Sequence, residues 1–371
     1  MLFLGWGSLD SATRKNPDKE RNVMKKGFAL LALGALALVT AAAAGAKHSA
    51  TVINGAGSTF VSPLVSTWTP AIGSAYDYTI QYSAIGSGGG IQAITNRSVD
   101  FGASDAPLTP DQFNACNGCV QIPWALAGTA VPYNVPGITP ASAAVHLHLS
   151  GDVIAKIYMG QITNWNDPAI KALNPKASMP DLKITPVYRT GNSGTTYNFT
   201  DYLSAASSAW KSQIGTGQSV NWPAGTGASG SAGVAGVVAN TPGAICYVDT
   251  AFALANHLHF AAIKNKAGNY IYPSIRNVAA AGDTIKSVPA NGELHIVEPS
   301  KAYPKAYPIS TYTYVILPAK SAKAAELRKL VFWALTQGQS GKYTAKLWFS
   351  PIPKVVLVAS EKQLKQITPA T

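Results

Sequence analysis

Three separated stretches are built from little besides Gly, Ser and Thr: Gly55–Phe60 (GAGSTF), Gly86–Gly90 (GSGGG) and Arg189–Thr195 (RTGNSGT). Each stands where a strand-like segment gives way to a helix-like one. A helix start carries unpaired N–H groups and about half a positive charge, and small residues let a ligand approach the backbone closely. Such loops hold an oxyanion without a metal. One of them brings a guanidinium, Arg189, and the strand-like segment Val99–Leu108 (VDFGASDAPL) brings a carboxylate, Asp105. Convergence of these parts would make an oxyanion receptor that also senses a proton on its ligand.

The N-terminal region is set apart by its own pattern. Met24-Lys25-Lys26 precedes an apolar run from Gly27 to Val39 and an Ala-rich end at Ala46, the layout of a secretory signal cleaved after Ala46. The run is too short and too rich in Ala and Gly for a permanent membrane span. Residues 1–23 read as an upstream extension outside the working protein. No Cys adjoins the cleavage point, so no lipid anchor is indicated, and the expected product is a soluble exported protein. The whole sequence carries 29 Lys and Arg against 17 Asp and Glu, a net charge of +12, and the part after Ala46 stays basic. That favours anionic ligands, while no Arg-rich helix or basic-aromatic stripe points to nucleic acid.

Three cysteines fit an oxidising compartment. Cys116 and Cys119 (CNGC) are expected to close a small disulfide loop, and Cys246, inside the apolar run AICYV, to be an inert core thiol. No second Cys or His pair gives zinc spacing. The pairs His146/His148 and His257/His259 lack a third ligand, so neither a metal nor a cofactor is expected. No nucleophile elbow with a base surrounds Ser87 or Ser193, whose bland role is helix capping.

Strand-like and helix-like segments alternate, which predicts an α/β protein. Helices are expected over 62–72, 91–95, 150–159, 195–207 and 322–336, and strands over 78–83, 99–108 and 307–317. The apolar run 123–133 reads as one strand passing between lobes. The Gly- and Ser-rich stretch 213–233 reads as loop.

The three small-residue loops and the Asp105 segment occur in the order found in the periplasmic phosphate-binding proteins of high-affinity ABC-type phosphate importers. The segments 157–167 (IYMGQITNWND), 242–248 (PGAICYV) and 307–310 (YPIS) match as well. The chain resembles that family from about Ile53 to Trp348. The resemblance implies a periplasmic-binding-protein fold of type II, two α/β lobes joined by crossing strands with a ligand cleft between them. Residues 47–125 and 311–371 would form the first lobe and 126–310 the second. It further implies a monomeric, non-enzymatic periplasmic receptor that delivers inorganic phosphate to permease and ATPase subunits. In the implied site, Thr59 and Phe60 offer main-chain N–H groups, the Thr59 and Ser87 hydroxyls add donors, and Asp105 accepts from a protonated phosphate oxygen. Arg189, Ser193, Gly194 and Thr195 come from the other lobe.

Each role also makes chemical sense alone. Charge-assisted hydrogen bonds are worth about 1.5–3 kcal/mol each, so several offset the dehydration of a divalent anion. Asp105 is the selective element: phosphate keeps a proton near neutral pH and sulfate does not. A site built around such a bond rejects the analogue lacking it by about 10⁴–10⁵-fold. One departure stands out. Where better-known members carry an Asp two positions after the arginine, this chain has Gly191, followed by Asn192. The expectation is an Arg189 without local counter-charge in a more positive, more salt-sensitive cleft. Two other readings are a receptor for another tetrahedral oxyanion such as arsenate and, in a different class, a secreted phosphatase.

Overall fold

A computed structural model describes residues 50–138 and 147–370. The expected upstream extension, signal and cleavage point over 1–46, and His146, lie outside the described residues. No helix among the described residues is long and apolar enough to cross a membrane.

Two principal sheets organise the protein. The first runs in the order Val248–Asp249, Cys119–Ala130, Ser310–Pro318, Phe101–Ser104, Thr51–Gly57 and Tyr78–Ser83. Thr51–Gly57 pairs in parallel with both of its neighbours, whereas Ser310–Pro318 runs antiparallel to Phe101–Ser104 and Cys119–Ala130. The second sheet runs in the order His259–Phe260, Pro132–Tyr133, Ala244–Cys246, Thr185–Arg189 and Thr226–Ala228. One core packs against the first sheet, and a larger one joins the second sheet to Leu126, Tyr312 and Tyr314 of the first, in a mixed α/β protein. In the first core Trp68 meets Trp124 edge-on at 5.4 Å, and both indoles are fully buried. Their N–H groups donate to Gly338 O and Thr313 Oγ1, at 3.0 and 2.9 Å. In the second, Tyr158, Phe199, Trp210 and Tyr247 form a buried aromatic cluster.

The helices that matter start at the small-residue loops. The helix Ser62–Tyr76 follows from Leu64, Val65, Trp68 and Ile72 falling on one buried face. The helix Ser87–Thr95 starts at Ser87 itself, earlier than its apolar spacing predicts, because Gly86 at φ +88° turns the chain into it. The helix Gly194–Ala206 starts one residue before the expected Thr195.

Two expectations are corrected. The run 123–133 is not one strand: it breaks at Val131, leaving Cys119–Ala130 in the first sheet and Pro132–Tyr133 in the second. Pro132 has no N–H to continue a ladder, so the break is where the chain passes from the first sheet to the second. The stretch 213–233 is not all loop: it contains the strand Thr226–Ala228 and the start of the helix Gly230–Asn240. Gly and Ser lower local propensity, but Ser231, Val234, Ala235 and Val238 pack inward and override it. Asp105 follows the strand Phe101–Ser104, which is shorter than its apolar pattern suggests.

Candidate functional site

Ser58, in the turn after the first strand, points its hydroxyl at Asp105 and donates to Oδ1 at 2.5 Å. The same Oγ accepts from the N–H groups of Phe60 and Val61, at 3.0 and 3.2 Å. The Phe60 amide therefore rests on Ser58, and the Phe60 ring is fully buried against Phe349. Ser87 donates to Asp105 Oδ2 at 3.4 Å and accepts from the Asp105 amide at 3.2 Å. The Asp105 carboxyl, 2% exposed, is thus gripped by two hydroxyls. Burial pushes its pKa up to about 6, against the Ser58 hydrogen bond, the Arg189 charge and the Ser87 hydrogen bond, which lower it.

The second lobe meets this site directly. A Cβ placed on Gly194 would lie 2.6 Å from Ser87 Oγ and 2.7 Å from the Asp105 amide nitrogen. Glycine is required there by close approach. Gly88 donates its N–H to the Asn192 carbonyl at 3.0 Å, a further bond between the lobes. Ser193 caps its helix by accepting from the Thr196 N–H at 3.2 Å, which leaves its own proton to donate elsewhere. The Thr195 hydroxyl is buried without a hydrogen-bond partner.

Arg189, the last residue of its strand, is 5% exposed. Its amide donates to Tyr247 Oη at 3.0 Å and its Nη1 to Ser231 Oγ at 3.4 Å, while Nε has no partner. Burial lowers its pKa, and the charges of Tyr247, Asp105 and Asp249 act the other way. Thr59 bridges the lobes, its Oγ1 sharing a hydrogen bond with Ser231 Oγ at 2.9 Å.

The structure thus brings Thr59, Ser87, Asp105, Arg189 and Gly194 together, with Ser193 and Thr195 at the helix start, while the Phe60 N–H that was expected to face the ligand is bonded to Ser58 Oγ. Sequence reasoning missed Ser58 as a partner of Asp105, and Ser231 and Asp249 altogether. Ser58 lies inside a quoted motif and was within reach. Ser231 sits in the stretch read as loop, and Asp249 looks locally like the cap of the helix Thr250–Ala255.

The remaining polar candidates lie elsewhere. Cys116 and Cys119 are joined in a disulfide with Cα atoms 5.6 Å apart, and Cys246 is a free, buried thiol. His148 stacks on Tyr270 at 3.9 Å, and His295 pairs with Asp201 at 2.6 Å. Among the described residues no group of three or more His, Cys, Asp or Glu is placed to hold a metal.

A family profile described as a PBP superfamily domain matches residues 42–336. The phosphate-binding protein PstS of Pasteurella multocida is 37% identical over 320 residues, covering 85% of this chain and 90% of that protein. That of Haemophilus influenzae is 33% identical over 344 residues, covering 92% and 98%. That of Xylella fastidiosa strain Temecula1 is 37% identical over 304 residues, covering 81% of each. Among solved structures, the high-affinity periplasmic phosphate-binding protein PfluDING superposes with a TM-score of 0.65 at 23% identity, over 84% of this chain and 93% of that one. The phosphate-binding protein of Stenotrophomonas maltophilia gives 0.62 at 20% identity, over 84% and 94%. At those identities the superpositions speak to the two-lobed fold.

Proposed function

The chain belongs to the PBP superfamily and, within it, to the PstS phosphate-binding proteins, and from that membership we propose that it binds inorganic phosphate between its lobes and delivers it to an ABC-type permease and its ATPase. On this reading residues 47–125 with 311–371 form one lobe and 126–310 the other. The leader over 24–46 sends the protein to the periplasm, where it works as a monomer and performs no chemistry on its ligand.

One observation carries the reading: a buried carboxylate, Asp105, stands among anion donors, namely Arg189, the hydroxyls of Thr59, Ser87 and Ser193, and the start of the helix Gly194–Ala206. A carboxylate among anion donors makes sense when the anion itself carries a proton. Monohydrogen phosphate supplies that proton and the negative charge that Arg189 needs; sulfate supplies only the charge. Arsenate shares phosphate's protonation and is expected to bind as well.

Calorimetric titration of the chain beginning at Lys47 with phosphate, arsenate and sulfate tests this. Phosphate and arsenate should bind, and sulfate should not compete at large excess. Replacing Asp105 by Asn should narrow the phosphate-to-sulfate ratio by at least 100-fold. Undiminished rejection of sulfate by that variant removes Asp105 from the selective role.

A further inference from the structure

Arg189 brings a positive charge into the cleft, yet its own loop, Thr190-Gly191-Asn192, contains no acid. Among the described residues no carboxylate lies within direct ion-pair distance of it, and its Nε is buried without a partner. On the same lobe Asp249 is fully buried. Its Oδ1 accepts from the Phe252 N–H at 2.9 Å, while its Oδ2 is buried with no hydrogen-bond partner. Both are buried groups, of opposite charge, and each has an unsatisfied polar atom. Isolated, each would cost several kcal/mol. Each feels the other's charge, and Ser231 stands beside both, bonded to Arg189 Nη1 and to Thr59. The other titratable groups facing Asp249 are Asp105, on the first lobe, and the Cys246 thiol.

We propose that Asp249 is the counter-charge of Arg189, a positioning residue that holds the guanidinium in the cleft with the help of Ser231 and sets how much positive charge a bound anion meets. The pairing stands on the burial of both groups, on their unsatisfied polar atoms and on the Ser231 hydroxyl bonded to Arg189; its effect on ligand rests on the phosphate reading given above. Asp249 thereby supplies from a distant segment what the Arg189 loop lacks. Its ionisation lowers the net charge seen by a dianion, so phosphate binding weakens as Asp249 ionises.

Two measurements on the chain beginning at Lys47 decide the matter. The first is a double-mutant cycle in thermal unfolding without ligand, at pH 8, using Arg189→Gln, Asp249→Asn and the double variant. Asn keeps a cap acceptor for Phe252. Each single change should lower Tm, because it strands one buried charge, and the double variant should lose less than the sum. Additive losses overturn the pairing. The second is phosphate titration at pH 6 and pH 8.5. The ratio of wild-type Kd to Asp249→Asn Kd should rise about tenfold between the two, and Asp249→Glu should follow the wild type. A pH-independent ratio reduces Asp249 to a helix cap and overturns the charge role. Should Asp249→Asn fail to fold, Arg189→Gln in an Asp105→Asn background gives the same answer. Without its guanidinium Asp249 should gain a protonated-carboxyl infrared band at pH 8, and no gain overturns the proposal. A wild type that binds no phosphate refutes the ligand, while the unfolding cycle still judges the pairing.

Discussion

At the scale of single residues the cleft is governed by where charges are buried. Asp105 shows the consequence for stability. Its pKa is about 3.8 when exposed and about 6 in the folded protein, chiefly through burial. The folded state therefore binds this proton more tightly than the unfolded one. The contribution is greatest below pH 4 and is lost as pH rises through 6. Thermal unfolding of the ligand-free protein should show Tm falling over that window by more than in Asp105→Asn; equal slopes would place the titrating group elsewhere. Gly191 raises the matter of charge from the other side. Its φ of +73° suits glycine, and nothing lies within 4 Å of a Cβ built there. Gly191→Asp therefore fits sterically, at a backbone cost of about 1–2 kcal/mol, and adds a carboxylate two residues from Arg189. The salt dependence of phosphate affinity should become shallower, and an unchanged slope would show that Arg189 is already fully compensated. Asp105 was reached through the order of segments that resembles the phosphate-binding family, since its local setting before Pro107 reads equally well as a turn-former. Asp249 was not, because its relation to Arg189 spans sixty positions and only packing makes it.

Among the secondary-structure elements, the legible part was the set of helix starts. Glycines and hydroxyls between a strand and an amphipathic helix leave few alternatives, and the helices Ser62–Tyr76, Ser87–Thr95 and Gly194–Ala206 do begin at the three loops. The helix Gly230–Asn240 was hidden, since Gly230, Gly233 and Gly236 carry no helix signal and its small apolar face is visible only against its neighbouring strands. Gly194 separates the two demands on such a helix start. Alanine in the first turn favours the helix by up to about 1 kcal/mol over glycine. The added Cβ, however, would press on Ser87 Oγ and on the Asp105 and Ala106 amides, all backbone or tightly held. Gly194→Ala should weaken phosphate binding by about 100-fold or more, because the helix start can no longer approach Ser87 and Asp105 as closely. A loss of Tm with affinity intact would invert the assignment and make Gly194 a packing residue alone.

The whole molecule is built on two sheets connected where the chain passes from one to the other, and the bonds that tie its parts together fall into two kinds. Near the crossings, Thr129 donates to Asn198 Oδ1 at 2.7 Å, Asn198 Nδ2 donates to the Ser310 carbonyl at 3.1 Å, and Tyr307 Oη donates to the Thr129 carbonyl at 2.7 Å. These tie the crossing strands to the helix Gly194–Ala206 with fully buried side chains, so they should persist through any motion. At the mouth, the link is one hydroxyl pair, Thr59 with Ser231, and one amide, Gly88 to the Asn192 carbonyl. The mouth contacts are worth about 1 kcal/mol each, so a ligand spanning both sides can decide whether they form. Gly88 tests this without touching the anion's charges. It lies inside a helix with ordinary φ, so alanine is locally favourable, but its Cβ would fall 2.3 Å from Asn192 Cβ. Small-angle scattering should show the wild type compacting when phosphate is added and Gly88→Ala failing to compact to the same radius, with a correspondingly weaker Kd. If the variant compacts as fully as the wild type, the contact at the mouth yields easily and closure must be limited elsewhere, by the Gly194 approach to Asp105.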